Sequence, residues 1–506
     1  MIEIRIDDAP LTLHTLRQAW LKPVTVSISD LARDKIEHSA RKIAEVLDGG
    51  DSVYGVNTGF GLLANVRVSD DELVHLQENL IRSHAVGIGD RLPDEIVRLI
   101  LITKIAALAQ GYSGVRSELV DALCGLVNNG IYPVIPKQGS VGASGDLAPL
   151  AHMSCALLGE GTVIVNGKPI TAKDALTDAG MQPVTLAPKE GLALLNGTQV
   201  STAIALAAVF RTENLLSAAI TSGAMSADAI QGSDTPFDAR IHDIRGHGGQ
   251  RDVAAMLRQL LDGSDIRASH IDCDRVQDPY SIRCQPQVTG ACLDVLRHVG
   301  SVLEVEANAV TDNPLVFDDG VLSGGNFHAA PVAFAADYLA LSIAEIGSLS
   351  ERRIALLVDP HMSGLPAFLV RESGLNSGFM MVQIVAAALA SESKVLAHPA
   401  SVDSIPTSAN QEDHVSMATF GANRLHQLID NVNRIVAIEL LAAAQGIDFH
   451  HPSQSSDLLE RAHADIRVVS PTFERDRSLK PDVEEVAALI EGGRFYETCE
   501  SILPST

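Results

Sequence analysis

The pattern of hydrophobic and polar positions changes character at about residue 196. Before that point the predicted elements are short and mixed: a strand of alternating isoleucines, three amphipathic helices, and a hairpin marked by an Asn-Gly turn. In chain order they fall at residues 2–6, 30–49, 70–82, 93–110 and 163–170. This part of the chain is therefore expected to be a small α+β unit.

Beyond Asn196 the chain is rich in alanine and leucine and carries the 3.6-residue period over unusually long stretches. Five long helices are predicted, at residues 198–230, 287–310, 331–358, 379–397 and 415–446. Such lengths far exceed the usual mean of about 11–12 residues. The expected fold class is mainly α, an elongated bundle of long helices with a smaller N-terminal α+β part. We expect two domains, residues 1–196 and 197–506, and an oligomer that buries the apolar helix faces.

The composition indicates which binding partners and which cellular compartment are expected. The 506 residues are 46% hydrophobic and 20% charged, as in an ordinary globular protein, and the net charge of −25 argues against a nucleic-acid partner. The six cysteines form no C-x-x-C pair, so reduced thiols in the cytoplasm are expected. Residues 1–7 are charged and alternating, unlike a signal peptide. Lys104 interrupts the apolar run 99–109, so no membrane span is expected.

The sharpest chemical signal is the glycine-rich stretch 139–146. It is not a P-loop, because Asp146 rather than Lys follows Gly145, and the dinucleotide fingerprint fails on spacing. In a tight loop, the amide nitrogen of Gly145 can attack the carbonyl carbon of Ala143, because glycine has no Cβ in the way. Loss of water closes a five-membered ring, and dehydration of Ser144 adds a conjugated methylene. The chain would thus make an electrophile that side chains lack.

At this loop, residues 139–153 resemble the prosthetic-group segment of the aromatic amino acid ammonia-lyase family, whose electrophile is methylidene-imidazolone (MIO). Five further segments match family motifs in the family's order, at 54–61, 194–198, 277–284, 324–328 and 410–415. The resemblance covers most of the chain. It implies that MIO forms autocatalytically from Ala143-Ser144-Gly145, with no external cofactor and no metal. It also implies a homotetramer whose active sites gather residues from three subunits.

The resemblance assigns roles to residues outside the loop. Tyr54 is the expected general base for the β-proton of the substrate. A free tyrosine has a pKa near about 10, so a nearby cation or aligned donors must help it to ionise. Arg283 is expected to hold the substrate carboxylate, which suits its planar fork. Tyr280 and Asn196 would position the amine or the carboxylate, and Phe327 would lie against the prosthetic ring.

Two positions indicate which aromatic ring the site accepts. Ser83-His84 lies where phenylalanine lyases carry other pairs, and Glu412 lies where phenylalanine and tyrosine lyases usually have glutamine. A carboxylate accepts a charge-assisted hydrogen bond from an imidazole N–H, whereas a phenyl ring would leave it unpaired. The expected reaction is elimination of ammonia from L-histidine to give trans-urocanate, the first step of histidine degradation. Gly142 and Asp146 are expected to support ring closure.

Alternatives remain at this point. The chain could instead be a tyrosine or phenylalanine lyase, or a 2,3-aminomutase that returns the amine to the β-carbon. It could also be a structural or binding oligomer that keeps the fold without catalysis. Taken singly, His84 is more often a satisfied helix-end histidine, and Glu412 a solvated carboxylate. His84 and Glu412 together argue against the first group, and the set of Tyr54, Ser144 and Arg283 argues against the last.

Overall fold

The structure is a computed structural model that describes residues 2–6, 9–49, 53–59, 67–270 and 276–506. The α-helices are α1 Leu13–Leu21, α2 Asp30–Gly49, α3 Leu73–His84, α4 Asp94–Ala109, α5 Ser117–Asn128, α6 Leu147–Leu157, α7 Ala172–Asp178, α8 Glu190–Leu195, α9 Gln199–Ala229, α10 Ala239–Asp243, α11 Gly248–Leu261, α12 Asp265–Ala268, α13 Tyr280–Arg283, α14 Gln285–Ala307, α15 Ala330–Val358, α16 Pro360–Ser363, α17 Met380–Leu396, α18 Ala418–Asp448, α19 Asp457–Val469, α20 Lys480–Glu491 and α21 Tyr496–Cys499. The strands are β1 Ile2–Ile6, β2 Val24–Ile28, β3 Ile88–Arg91, β4 Tyr132–Pro133, β5 Pro136–Gln138, β6 Thr162–Val165, β7 Lys168–Thr171, β8 Leu315–Phe317 and β9 Gly320–Leu322.

The strands form small sheets, most of them in the N-terminal part. β1 pairs with β2 in parallel, with Ile4 opposite Val26, which confirms the predicted first strand. β6 and β7 form the predicted antiparallel hairpin, and β4 joins them at the other edge of β6. Asn166 and Gly167 both have positive φ, 51° and 75°, as a type I′ turn requires.

The short helices of this part follow the predicted signals. α2 begins at Asp30, where the Ser29 hydroxyl accepts from the Ala32 N–H at 3.1 Å, and it ends at Gly49. The helix predicted over 70–82 starts three residues late, at Leu73, because residues 70–72 form a 3-10 turn. α4 lies within the predicted range.

The five long helices confirm the predicted fold class. Each of them begins and ends within three residues of its prediction. α18 packs along both α9 and α15, and α14 packs against the same two helices, so these four form the centre of the bundle. Nearly every residue of α9 is buried, which explains why its apolar character covers the whole circumference.

Two of these helices are long and apolar enough to cross a membrane, by length and composition alone. The interruption at Lys104 breaks only the apolar run 99–109 and does not affect these two helices. Of the 18 most apolar consecutive residues in α9, 94% are buried inside the protein, and in α15 the corresponding share is 61%. The core helices of globular proteins are often equally long and apolar. Burial in the core therefore explains the apolar composition of α9, while α15 keeps a partly exposed apolar face.

The hydrophobic core is continuous from the N-terminal part to the bundle. One cluster of buried side chains extends from Ile4 in β1 to Leu503 near the C-terminus. α4 contributes to it by packing against α9. The predicted division at residues 196 and 197 stays a prediction, and it falls in the short connection between α8 and α9.

Candidate active site

The loop 139–146 is held in a tight conformation that its glycines permit. Gly142 and Gly145 have φ of 65° and 76°, in the left-handed region. A Cβ on Gly145 would lie 2.1 Å from the carbonyl oxygen of Gly197, and one on Gly142 would lie 2.2 Å from the hydroxyl of Ser416. Any side chain at these two positions would therefore push the loop away from its neighbours.

Asp146 joins this loop to two helices of the bundle. Its carboxylate is fully buried and accepts from the Ser201 N–H at 2.7 Å and the Ser201 hydroxyl at 2.9 Å. The hydroxyls of Ser140 and Thr419 donate to its other oxygen at 3.1 and 2.5 Å. Burial raises the pKa of Asp146, and these hydrogen bonds oppose that rise. The carboxylate thus binds the loop to the N-terminal turns of α9 and α18.

Three helices begin around the loop. α6 starts at Leu147, directly after Asp146, and α9 starts at Gln199. α18 starts at Ala418, where the Met417 N–H donates to the Val141 carbonyl at 2.9 Å. Because helix N-termini carry partial positive charge, these three helix ends contribute positive potential at the loop.

A cleft of about 780 Å³ opens over this loop. It brings together seven of the predicted site residues, namely Tyr54, His84, Ala143, Ser144, Asn196, Phe327 and Glu412. The remaining loop residues of the predicted set, Gly142, Gly145 and Asp146, lie directly beside it in the chain. Segments far apart in sequence therefore converge on one cavity.

Glu412 lies against the reactive loop itself. The Ser144 hydroxyl donates to Glu412 Oε1 at 3.0 Å, and the Thr407 hydroxyl donates to Oε2 at 2.7 Å. Residues 408–410 all have positive φ, between 50° and 66°, although none is glycine. Such a conformation costs roughly 1–2 kcal/mol per residue, so the surrounding contacts must hold this turn in place. The turn carries Glu412 over Ser144.

Asn196 approaches the loop from the C-terminal end of α8. It caps the C-terminus of α8, with its N–H donating to the Leu192 carbonyl at 2.8 Å. Its side-chain amide donates to the Ser144 carbonyl at 3.4 Å. Its own carbonyl accepts from Lys104 Nζ at 2.5 Å. Both the backbone and the side chain of Asn196 are therefore tied to the site.

His84 is the last residue of α3, and one face of that helix forms a wall of the cleft. Leu76, Asn79, Leu80 and Ser83 line the same cavity with helical spacing. His84 Nδ1 lies 2.8 Å from the Leu80 carbonyl, which can only accept. The Ser83 hydroxyl lies 3.0 Å from the same nitrogen, and the contact with the carbonyl favours the tautomer that has its hydrogen on Nδ1 and an acceptor at Nε2.

The turn at residues 53–57 positions Tyr54. The Val53 N–H donates to Asn57 Oδ1 at 2.8 Å, and the Val56 N–H donates to the Val53 carbonyl at 3.1 Å. Gly55 has φ of 72°, and a Cβ there would lie 2.2 Å from a methyl carbon of Leu192. The glycine thus lets the turn pack closely on α8. Residues 60 and 61 of the matched motif lie outside the described residues.

Tyr280 and Arg283 do not line this cleft. They belong to α13, where Tyr280 is 71% exposed and the Arg283 guanidinium carbon lies 4.6 Å from the Tyr280 ring centroid. The 23 residues of α14, roughly 34 Å at about 1.5 Å per residue, lie between them and Asn313 at the cleft. Within one chain, the structure does not bring these two residues to the other predicted ones.

The cleft region also contains residues that the sequence analysis did not select. Asn79 was detectable, because it shares the helical period of Leu80 and Ser83. Thr407, which fixes Glu412, carries no local signal. Lys104 was noticed only as an interruption of an apolar run, although its buried ammonium contacts Asn196.

Comparison with known sequences gives matches along almost the whole chain. The family model for aromatic amino acid lyases matches residues 11–468. A histidine ammonia-lyase of Vibrio cholerae is 57% identical over 494 residues, which cover 97% of each chain. A histidine ammonia-lyase of Desulfotalea psychrophila is 55% identical over 506 residues, covering 99% of each.

Solved structures with the same fold include both elimination and rearrangement enzymes. The crystal structure of histidine ammonia-lyase from Trypanosoma cruzi has a TM-score of 0.91 and 42% identity, and the match covers 99% of this chain and 96% of that one. A tyrosine aminomutase from Streptomyces globisporus has a TM-score of 0.93 and 34% identity, with 99% of both chains covered. The fold alone does not separate the two reactions, whereas the higher identities belong to histidine ammonia-lyases.

Proposed function

The chain belongs to the aromatic amino acid lyase family, and from that membership we propose that it eliminates ammonia from L-histidine to give trans-urocanate. The observation that carries this proposal is the position of Ala143 and Ser144 in one cleft with His84 and Glu412. The chain is a carbon–nitrogen lyase, and the two polar side chains suit an imidazole ring better than a phenyl ring.

We propose that Ala143-Ser144-Gly145 forms MIO without an external cofactor or metal. The Gly145 amide nitrogen bonds to the carbonyl carbon of Ala143, whose oxygen leaves as water. Ser144 then loses its hydroxyl and its Cα hydrogen as a second water. The tight loop and the glycine at 145 fit this closure. The ring supplies an electrophilic methylidene carbon that makes the substrate amine a better leaving group.

The side chains around the cleft would hold the substrate. Glu412 accepts from an imidazole N–H, and His84 orients the same ring. Asn196 holds the amino-acid end beside the loop, and Phe327 packs at the prosthetic group. Tyr54 takes the β-proton, so its oxygen is the base at which the elimination begins. Gly142 and Asp146 keep the loop closed.

A second copy of the chain would complete each site. The distance along α14 separates Tyr280 and Arg283 from their own cleft, so we propose that another subunit supplies them to bind the substrate carboxylate. Exposed apolar side chains on α15 and α17, including Phe334, Leu341 and Met381, support burial between copies. The proposed assembly is a homotetramer, and the proposed location is the cytoplasm, consistent with the free cysteines among the described residues.

A substrate panel tests the proposed reaction. Histidine, tyrosine and phenylalanine are incubated separately with the enzyme, and ammonia and the unsaturated acid are both measured. We expect histidine to be turned over fastest, with equal amounts of ammonia and trans-urocanate. Fastest turnover of tyrosine would overturn the choice of substrate. A rearranged product that keeps its amine would indicate an aminomutase instead.

Substitution of Glu412→Gln tests how the ring is recognised. The loss of one charge-assisted hydrogen bond, about 1.5–3 kcal/mol, predicts a fall of roughly 10- to 100-fold in kcat/KM for histidine. Residual turnover of phenylalanine or tyrosine should change much less. Asp403→Asn removes the same charge from an exposed position on the same segment, outside the cleft, and serves as control.

The mass of the Glu412→Gln variant separates two roles for this carboxylate. If Glu412 reads the imidazole, the variant still loses two waters and keeps a normal loop. Equal losses of activity with all three amino acids would remove Glu412 from substrate recognition. An unmodified mass would assign it to the dehydration of Ser144, which its hydrogen bond to the Ser144 hydroxyl would then explain.

A further inference from the structure

Lys104 is a buried lysine in the middle of the apolar helix α4. Its side chain is fully buried, and the residues around it from 99 to 109 are otherwise uncharged. Among the described residues, no carboxylate lies within ion-pair distance of its Nζ, whereas nearby Lys189 pairs with Asp312 at 2.6 Å. Burying an ammonium without a counter-ion is costly, so a compensating role is expected.

The hydrogen bond that Nζ makes leads directly to the active site. It donates to the carbonyl oxygen of Asn196 at 2.5 Å. That carbonyl belongs to the peptide joining Asn196 to Gly197, and the Gly197 carbonyl accepts from the Asp146 N–H at 2.8 Å. The side-chain amide of the same Asn196 reaches the Ser144 carbonyl at 3.4 Å. The hydrogen bond from Lys104 thus holds the segment 196–197, which itself makes two hydrogen bonds to the loop, at Asp146 and at Ser144.

The hydrogen bond from Lys104 to the Asn196 carbonyl does not depend on the charge of the lysine. Burial is the largest effect on the lysine and lowers the pKa of Lys104 to about 7, while Asp312 and Asp146 favour the ammonium and Lys189 opposes it. Glu306 on α14 is a further buried carboxyl group in this region, and burial followed by the nearby charge of Asp146 raises its pKa. Both the ammonium and the neutral amine carry N–H groups, so either form can donate to the Asn196 carbonyl.

We propose that Lys104 is a positioning residue, which holds the Asn196 peptide so that the Asn196 amide stays directed at Ser144 and at the amino-acid end of the substrate. This role rests on the proposed function, because Asn196 needs fixing only if the loop 143–145 is the reactive group. Lys104 would not touch the substrate. Its effect would appear only through Asn196.

A double-mutant cycle tests this inference on the intact enzyme. Lys104→Met removes the donor and keeps an unbranched, buried side chain. We expect kcat/KM for histidine to fall by about 10-fold or more in the wild-type background and by less than about 2-fold in an Asn196→Ala background, because residues that act as a unit are not additive. Thr103→Val is the matched control. It removes a buried hydroxyl that bonds only to carbonyls of its own helix, and should leave kcat/KM within about 2-fold.

Inhibition by imidazole separates positioning from general damage. Imidazole occupies the His84 and Glu412 end and needs no contact with Asn196, so its inhibition constant should stay within about 2-fold in Lys104→Met. A parallel weakening of imidazole and histidine, or an equal loss in both backgrounds, would overturn the positioning role while leaving the proposed function intact. Wild-type enzyme that neither loses two waters nor turns over histidine would overturn both.

Discussion

Replacing Ser144 by alanine will give a folded chain that has lost nearly all turnover of histidine. In the proposed ring formation the methylidene carbon derives from the Ser144 side chain, and alanine has no hydroxyl to lose as the second water. We expect kcat to fall by at least about 10³-fold, which corresponds to about 4 kcal/mol in the barrier. The cost to folding of the unmodified chain should be small, about 1 kcal/mol, because before any dehydration the change removes one hydrogen bond to Glu412 at a half-buried position.

Intact mass and turnover, measured on the same preparation, check this expectation. Wild-type chains should be lighter than the sequence mass by two waters, and Ser144→Ala chains should lack the second loss. Ser154→Ala is a suitable control, because that serine lies on the helix following the loop and bonds to the Leu150 carbonyl of its own helix. It should keep the dehydrated loop and most activity. Appreciable turnover by Ser144→Ala would refute the assignment of the loop.

The parts of this protein that could be predicted from sequence are those fixed by local chemistry. The long helices follow from sustained 3.6-residue periods, and α9 was recognisable although its burial is uniform. The loop 142–146 was recognisable because its glycines permit a conformation that other residues cannot adopt. Asn166 and Gly167 predicted a hairpin because both residues readily adopt the positive φ that its turn requires. In each case the structure of a segment could be predicted from residues within that same segment.

Contacts between distant segments could not be predicted in this way. Lys104 contacts Asn196 across 92 positions, and neither segment carries a local signal for that pairing. Thr407 and Glu412 are only five positions apart, but their contact depends on a positive-φ turn at residues 408–410 that contains no glycine to mark it. Motif resemblance assigned roles to Tyr280 and Arg283 but did not indicate that they lie away from the cleft of their own chain. The length of α14 supplies that argument, since it places both residues far from their own cleft.

Substitution of Tyr54→Phe should lower kcat by about 10²-fold or more while changing KM by less than about 3-fold. The phenyl ring keeps the packing of the turn at residues 53–57, so substrate binding should survive. The substitution removes the phenolic oxygen that is proposed to take the β-proton, so only proton removal should become slower. Tyr112→Phe provides the control, because that ring lies outside the cleft, packed at 5.5 Å from the ring of Phe317.

The isotope effect on kcat identifies the step that Tyr54 serves. With histidine deuterated at the β-carbon, the variant should show a larger effect than the wild type, because proton removal then limits the rate more fully. A lower kcat with an unchanged isotope effect would mean that Tyr54 acts in another step, such as product release. An unchanged kcat would remove Tyr54 from the role of base. The base would then have to be sought among the other groups of the cleft, of which His84 lies on the neighbouring helix wall and offers Nε2 as an acceptor.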